Sequence, residues 1–377
     1  MRVALIAPGL APLPPAPATS VEIYLYDLWR HLPARVDASL YARQQVAILQ
    51  HGSRSRALLS SARGTHYLST VLRHILSQKL GRTVIQVDNR PLSLPLVRRQ
   101  FADPLLLNLH SMTFVDSLAT ARVRMTSALS VADRIVVNSA YVANRLTDSF
   151  AAQSSRVRVI YPGVDASAFH PSRTAAEFAA RRALRMRLQS NGRTVILFVG
   201  RVVQRKGLHI VLEALRQIRR QSVQNAVVLW VAGKRPDAAS PYGKLLTQLA
   251  RGVRVHWLGY VLRSDLPDLY RAADLFVCPS QKPEAFGLVN LEAQASGLPV
   301  VASQAWGIRE SVQNRKTGLL VPDFASSEAW ATMIEELYQD RDQQRELSAK
   351  AVKWTQENFS WQGPARRFTQ AYEDLLR

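Results

Sequence analysis

The sequence lacks the features that define small secreted, membrane-spanning or fibrous proteins. It holds one cysteine, Cys278, so no disulfide can form within the chain, and a lone thiol fits a reducing compartment. No apolar run reaches the ~18–20 residues that a membrane-spanning helix needs. The start of the chain has one basic residue and a short apolar run broken at Pro8, which favours a first strand over a secretion signal. We therefore expect a cytoplasmic globular protein, and 377 residues are enough for two domains.

Acidic residues are also scarce. The chain has 28 Asp and Glu against 49 Lys and Arg, a net charge of +21, and 41 of the basic residues are arginine. The basic residues are spread along the chain, and a GC-rich genome alone could produce the bias towards arginine. Such a charge attracts phosphates, acidic glycans, anionic lipid surfaces or nucleic acid. No segment interleaves basic and aromatic residues on one face, so a nucleic-acid partner is not favoured.

Apolar runs alternate with helical patterns along both halves of the chain, and a helix with Ser20 as its N-cap follows the first run. This alternation predicts parallel βαβ units, and so an α/β protein with two doubly wound, Rossmann-like sheets. A segment at 157–178 containing proline and glycine separates the two series, and the chain ends in two helical stretches, 326–358 and 361–377. The predicted strands are 2–7, 44–49, 83–88, 104–110 and 134–139 in the first half, and 194–200, 226–233, 253–259, 274–280, 298–303 and 317–322 in the second.

Two glutamates, Glu284 and Glu292, lie in an apolar, small-residue-rich part of the second half. Burying a carboxylate without a partner costs several kcal/mol or more, so each needs a specific contact. Between them, Phe286, Gly287 and Leu288 predict a helix start, where backbone N–H groups favour an anion. On that helix Glu292 would lie on the packed face, and a sugar diol is a natural partner for it.

Two basic residues follow an earlier strand of the same sheet. Arg201 and Lys206 flank the short loop after strand 194–200. Taken singly, such residues are most often solvated surface charges. Together with the helix start and the two glutamates, they predict a site for a nucleoside diphosphate beyond the carboxyl ends of the strands. The chain contains no P-loop and no GxGxxG, so the signatures of an NTPase and of a dinucleotide-binding protein are both absent.

Three segments carry a more specific resemblance. The stretches "GRVVQRKG" (200–207), "EAFGLVNLE" (284–292) and "YPGVDASAFHP" (161–171) resemble those of family 4 retaining glycosyltransferases of the GT-B fold. The resemblance implies two Rossmann-like domains facing a cleft. The first would be 1–168 with a C-terminal helix 361–377 that crosses back onto it, and the second 169–360. "QVDNRP" (86–91) further resembles bacterial spore-coat-associated members.

The resemblance also implies roles for residues. Glu284 would contact the donor sugar as a catalytic residue and Glu292 the ribose, while Arg201 and Lys206 would bind the diphosphate. Backbone near Val261, in "HWLGYV" (256–261), would contact the base.

On the acceptor side, the resemblance points to one histidine and one loop. His110, in "LLLNLHS" (105–111), is similar to the catalytic histidine that faces the donor sugar across the cleft, although a lone histidine at a strand end is more often structural. The family usually carries a Gly-Gly pair in the loop after the first strand, where this chain has Ala18-Thr19. A later Gly-Gly-x-Pro-Glu loop reads "WGIRE" (306–310) here, with Trp306 and Arg309 in place of Gly and Pro.

The function implied is hexosyl transfer from a UDP-, GDP- or ADP-sugar to a glycan, lipid or protein acceptor, with retention and with no metal or other cofactor. The positive charge suits an anionic acceptor, a peripheral membrane contact or a spore coat. Three alternatives remain open: a catalytically silent structural or coat protein of the same fold, a polyanion-binding protein, and a sugar epimerase or phosphorylase of the same architecture.

Overall fold

A computed structural model describes residues 1–13, 19–43, 49–51, 55–60, 64–78, 81–116, 122–221 and 227–377. The chain divides into two compact units: Met1–Gly163 together with Trp361–Arg377, and Val164–Ser360. The change of unit after Gly163 falls within the segment at 157–178 that separates the two strand series of the sequence.

The first unit is built on an eight-stranded sheet with the strand order β3-β4-β2-β1-β5-β6-β7-β8. Every neighbouring pair is parallel except β3 and β4. Its strands are β1 (Arg2–Ile6), β2 (Asp37–Arg43), β3 (Leu49–His51), β4 (Ser55–Ser60), β5 (Thr83–Asp88), β6 (Leu105–Leu109), β7 (Arg134–Val137) and β8 (Val157–Val159). Its helices are α1 (Ser20–His31), α2 (Gly64–Ser77), α3 (Leu94–Gln100), α4 (Arg122–Ser130), α5 (Ala140–Ser149) and the last helix of the chain, α14 (Gln362–Leu376).

The central strands of the first unit lie inside its core. Strands β5 and β6 are buried at every position, as expected for parallel strands covered by helices on both faces. One buried cluster joins residues of β1 and α1 to Trp361, Phe368 and Tyr372 of the C-terminal segment. Helix α14 therefore contributes to the core of the first unit although it ends the chain.

The second unit has a six-stranded parallel sheet with the strand order β11-β10-β9-β12-β13-β14. Its strands are β9 (Thr194–Val199), β10 (Val227–Ala232), β11 (Val255–Gly259), β12 (Leu275–Cys278), β13 (Val300–Ser303) and β14 (Gly318–Val321). Its helices are α6 (Ala175–Arg187), α7 (Leu208–Gln221), α8 (Pro241–Leu249), α9 (Leu266–Ala272), α10 (Leu288–Ala295), α11 (Ile308–Ser311), α12 (Ser327–Gln339) and α13 (Arg341–Asn358).

Both sheets reverse their strand order in the middle. The chain proceeds outward from β9 to β11 in one direction, and from β12 to β14 in the other, so β9 and β12 flank a switch point. In the first unit β1 and β5 flank the equivalent position. The carboxyl ends of strands at such a switch point form the usual ligand site of open parallel sheets.

The predicted class, two doubly wound parallel sheets, is confirmed. Three strands were not predicted: β2, β4 and β8. Strands β2 and β4 mix polar and apolar residues, and β8 has only three residues. Of the predicted strand 44–49, residues 44–48 lie outside the described ranges. No helix within the described part of the chain is long and apolar enough to cross a membrane.

Two helix boundaries were wrong. The stretch 326–358 is two helices, because the Asp340 side chain accepts hydrogen bonds from the Asp342 and Gln343 N–H groups, at 3.0 and 2.8 Å, and begins α13. Ser20 is the first residue of α1 rather than its N-cap, which is Thr19. The Thr19 side chain does not cap the helix backbone, since its hydroxyl donates to the Glu22 carboxylate.

Asp274 anchors the amino end of β12. Its carboxylate accepts from Arg181 Nη2 at 3.0 Å, Arg185 Nη1 at 3.0 Å and the Val195 N–H at 2.8 Å. The side chains of Asp274 and Arg185 are only 12% and 13% exposed, so this ion pair is largely shielded from water. Removing one partner of such a pair leaves the others without compensation.

We expect Asp274→Asn to lower the free energy of unfolding by about 3 kcal/mol, because the amide nitrogen would face an arginine. Asp268→Asn is the matched control in the same unit: its partner is Arg271, but its side chain is 56% exposed. That pair should contribute less than about 1 kcal/mol. Urea unfolding of both variants measures the difference, and equal losses would contradict the role assigned to Asp274.

Candidate functional site

The loop after β9 closely approaches the end of β12. Gly207 lies at φ 75°, and a Cβ atom there would lie 1.8 Å from the carbonyl oxygen of Pro279. The Gln281 N–H donates to the Arg205 carbonyl at 2.8 Å, which ties the two loops together. Only glycine allows this approach, because any side chain would meet the Pro279 backbone.

This approach brings Lys206 and Glu284 into an ion pair, although 78 residues separate them in sequence. Both side chains are about one-fifth exposed, at 19% and 21%. The Ser280 hydroxyl donates to the same carboxylate at 3.3 Å. The structure thus places two predicted site residues in direct contact at the switch point.

Arg201 adds positive charge at the same edge. Burial, followed by the charge of Arg205, lowers the pKa of Arg201, and the negative charge of Glu284 opposes that shift. Arg201, Arg205 and Lys206 therefore lie near the Glu284 carboxylate, and these three positive charges outnumber its one negative charge. Such an arrangement attracts an anion.

Helix α10 starts beside this charge. Gly287 is its N-cap, at φ 92°, and no side chain caps the helix start. The orientation of the N-terminal N–H groups of an α-helix favours a negatively charged group there. Phe286 is buried, with its ring 5.7 Å from that of Phe359, whereas Leu288 is half-buried. Glu292 is buried, as predicted, and the burial extends to every residue from 290 to 295.

Glu292, on the second turn of α10, has two side-chain partners. Arg263 Nη1 donates to its Oε1 at 2.9 Å, and the Tyr270 hydroxyl donates to its Oε2 at 3.0 Å. Burial and then the Glu292 charge raise the pKa of Tyr270 well above its usual value, so the hydroxyl stays protonated and donates. These partners satisfy the buried carboxylate, and a carboxylate retains further lone-pair positions for a ligand.

Val261 lies on the wall of a cavity of about 770 Å³, formed by the segment after β11 together with α6 and α9. Two residues further along the chain, Arg263 reaches Glu292. The backbone around Val261 is therefore connected to the carboxylate predicted to hold the ribose.

The loop after β13 holds Trp306 in a backbone conformation that favours glycine. Trp306 lies at φ 51°, the left-handed region in which glycine is favoured, and its ring lies 5.3 Å from that of Phe324. The next residue, Gly307, donates its N–H to the Glu284 carbonyl at 3.1 Å. Trp306 thus replaces a glycine beside a predicted catalytic residue, while Arg309 is exposed.

In the first unit, His110 follows β6 directly and contacts a buried acid. Its Nε2 lies 2.9 Å from Asp88 Oδ1, and the Asp88 side chain is fully buried. Asn108 Nδ2 donates to the same oxygen at 2.7 Å, and the Tyr24 ring packs edge-on against the His110 ring at 4.5 Å. Among the acceptor-side residues, Thr19 is bonded to the buried Glu22, while Ala18 lies outside the described residues.

Sequence reasoning missed the partners of its own candidates. Arg263 and Tyr270 are 29 and 22 residues from Glu292, and no periodicity links them to it. Asp88 lies 22 residues from His110, but it did carry a signal: an acid at the end of a predicted strand. Within the described ranges, no three His, Cys, Asp or Glu side chains are grouped so as to hold a metal ion.

Two protein-family models match successive parts of the chain. Residues 181–354 match the model of glycosyl transferases group 1, and residues 21–168 match that of glycosyltransferase family 4. Spore coat protein SA of Bacillus subtilis is 28% identical over 99% of both chains. The D-inositol 3-phosphate glycosyltransferase of Thermobispora bispora is 33% identical over 74% of this chain and 67% of its own.

Solved structures give the same fold. Sucrose-phosphate synthase of Thermosynechococcus elongatus superposes with a TM-score of 0.80 at 24% identity, covering 100% of this chain and 99% of its own. The Anabaena HepE protein in complex with UDP and glucose has a TM-score of 0.79 at 21% identity, covering 99% and 100%. With both halves matched in order, a relative 33% identical and two switch-point sheets, the chain belongs to glycosyltransferase family 4 and has the GT-B fold.

Proposed function

We propose that this protein transfers a hexose from a UDP-sugar to an acceptor hydroxyl, with retention of the anomeric configuration and without a metal ion. The observation that carries the proposal is the Lys206–Glu284 pair beside Arg201 at the switch point of the second unit. The nucleotide is inferred from the HepE protein, whose structures contain UDP and UDP-glucose.

The basic residues would stabilise the leaving group. As the glycosidic C–O bond breaks, the departing diphosphate gains negative charge near Arg201, Lys206 and the start of α10. Preorganised charges of this kind can supply several kcal/mol of transition-state stabilisation. The uncapped helix start supports this role, because its N–H groups are not used by a side chain.

The carboxylates support front-face attack over a double displacement. A retaining glycosidase uses two carboxylates on either side of the anomeric carbon. Here Arg263 and Tyr270 hold Glu292, which suits a ribose contact and not a nucleophile. The acceptor hydroxyl would attack from the side of the leaving group, and a donor phosphate oxygen would take its proton. Glu284 and His110 would contact the donor sugar.

The acceptor is proposed from charge alone. A net charge of +21 supports an anionic glycan, lipid or protein surface, including a peripheral membrane or a spore coat. Thr19, at the start of α1, would lie in the acceptor-side loop with Ala18. The second candidate function, a catalytically silent coat protein, is supported by Trp306 in place of glycine and by the likeness to spore coat protein SA.

A ligand panel with a transfer assay tests the proposal. Because stabilisation follows RT ln(1 + [L]/Kd), UDP should raise the melting temperature more than GDP or ADP. Transfer from a UDP-hexose to an acceptor, with the product anomer read by NMR and with chelator added, tests retention and metal independence. UDP binding without transfer or donor hydrolysis would support the silent protein, and no selective stabilisation by UDP would contradict the nucleotide assignment.

The two members of the ion pair should affect UDP affinity in opposite directions. We expect Lys206→Ala to weaken UDP binding about 10-fold or more, since a charge-assisted hydrogen bond contributes about 1.5–3 kcal/mol. Glu284→Gln removes a negative charge beside the diphosphate, so UDP affinity should stay equal or rise while sugar transfer falls. Calorimetry and transfer rates measure both effects.

Lys282→Ala is the matched control for this comparison. Lys282 lies in the same loop as Glu284 but is exposed. Its removal should leave UDP affinity within about twofold, because an exposed charge is screened by solvent. Equal losses in Lys282→Ala and Lys206→Ala would indicate general charge attraction in place of a specific site.

The ribose contact of Glu292 can be tested by changing the ligand, which cannot unfold the protein. Wild-type protein should bind UDP about 10-fold more tightly than 2′-deoxy-UDP or 3′-deoxy-UDP, since a hydrogen bond to a charged group contributes about 1.5–3 kcal/mol. In Glu292→Gln this preference should shrink severalfold. Undiminished discrimination in a folded Glu292→Gln variant would place the ribose elsewhere.

A further inference from the structure

A directed chain of hydrogen bonds lies behind His110 in the first unit. The Tyr372 hydroxyl donates to Gln86 Oε1 at 2.6 Å, and Gln86 Nε2 donates to Asp88 Oδ2 at 2.8 Å. The other carboxylate oxygen, Asp88 Oδ1, contacts His110 Nε2 at 2.9 Å and Asn108 Nδ2 at 2.7 Å. Gln86, Asp88, Asn108 and Tyr372 all have 0% exposure, so water does not compete for these bonds.

The charge of Asp88 sets the direction of every bond in the chain. An ionised carboxylate only accepts, so each neighbour must turn a donor toward it. His110 therefore carries a proton on Nε2, whether the ring is neutral or charged. Asn108 Nδ2 also lies 3.2 Å from Nε2, but both atoms are then donors, and Asn108 gives its hydrogen bond to Asp88 instead. In the neutral ring, Nδ1 keeps the free lone pair.

The far end of this chain of hydrogen bonds lies in the C-terminal helix, α14. Tyr372 belongs to α14 and is 286 residues from Gln86 in sequence. Burial, followed by the charge of Asp88, raises the pKa of Tyr372 well above its usual value, so its hydroxyl remains protonated and donates. The donated proton fixes the orientation of the Gln86 amide, because the oxygen must face Tyr372 and the nitrogen Asp88.

We infer that Asp88 is a positioning residue that fixes the ring orientation and tautomer of His110, and that Tyr372 of α14 holds Asp88 in place through Gln86. The inference rests on the proposed contact between His110 and the donor sugar. A histidine that hydrogen-bonds a sugar must present one defined nitrogen. Among these residues, the hydrogen bonds engage His110 Nε2 and leave only its Nδ1 without a fixed bonding partner. Helix α14 would then support the function of His110 as well as the stability of the first unit.

Asp88→Asn is the informative variant, because it keeps the shape and removes one acceptor. Three donors, from His110, Asn108 and Gln86, would meet an amide that has a single acceptor oxygen. The nitrogen of the amide introduced at position 88 must then face either Gln86 or His110. In the first case Gln86 has to flip its amide, and in the second His110 has to move its proton to Nδ1. We expect nitrogen NMR of the imidazole rings, assigned with His110→Ala, to show a single Nε2–H tautomer in the neutral wild-type ring and a mixture in Asp88→Asn.

Transfer kinetics give a second readout. In Asp88→Asn the His110 ring would be misoriented relative to the donor sugar. This should lower kcat about 10–100-fold and leave the KM of the UDP-sugar within about twofold. Tyr372→Phe should lower kcat less, about 3–10-fold, because Asp88 remains charged and loses only its support. The matched control is Thr369→Val, which removes another buried hydroxyl of α14, one that donates only within the helix, to Ala365 O at 2.8 Å.

The outcomes separate this inference from the proposed function. A wild-type tautomer and kcat in Asp88→Asn would overturn it, as would equal kcat losses in Tyr372→Phe and Thr369→Val. If instead Asp88→Asn changes the tautomer while His110→Ala transfers sugar normally, the positioning of His110 is supported and its contact with the donor sugar is wrong.

Discussion

The contact between Gly207 and the carbonyl oxygen of Pro279 determines the geometry of the candidate donor site. Parallel strands place their carboxyl ends at one edge, but they do not bring the following loops together. Here a left-handed glycine lets the loop after β9 lie against the end of β12, closer than any side chain allows. The Lys206–Glu284 pair and the proximity of Arg201 depend on that approach. The backbone conformation of Gly207 thus brings together side chains that the parallel sheet alone would leave apart.

Most of the candidate site residues with an ionisable side chain have a protein partner. Glu284 is paired with Lys206, Glu292 with Arg263 and Tyr270, and His110 with Asp88. Nucleotide binding at Lys206 and Glu284 would therefore compete with their ion pair, and its free energy includes the loss of that contact. Partners that hold a side chain in place also lower the entropic cost of ordering it around a ligand.

Much of the fold could be predicted because it depends on local pattern. Strands such as Thr194–Val199 and Val227–Ala232 are almost entirely apolar, and Gly287 marks the start of α10. Residues that follow a strand could be assigned to one edge, which correctly grouped Lys206 with Glu284. What failed lacks a local pattern. The strand β8 has three residues, and the break at Asp340 depends on a capping side chain within a sequence that is helical on both sides.

The partners of the site residues could not be predicted for a related reason. Arg263 and Tyr270 meet Glu292, and Tyr372 meets Gln86, only because strand order brings distant segments together. Periodicity within one element carries no information about such contacts. The resemblance to a family indicated the residues that would contact a ligand, whereas the residues that support them became visible only in the three-dimensional arrangement.

Trp306 limits the conformations that the backbone near Glu284 can adopt. A tryptophan at φ 51° carries a conformational strain of about 1 kcal/mol that glycine would not. Glycine at that position would instead bring a larger conformational entropy to both the unfolded chain and the loop. Packing of the Trp306 ring on Phe324 restricts the loop further, and Gly307 transmits that restriction to the Glu284 carbonyl. Compared with a glycine, Trp306 therefore makes the loop more rigid, so the backbone beside Glu284 is less able to adapt to ligands of different shape.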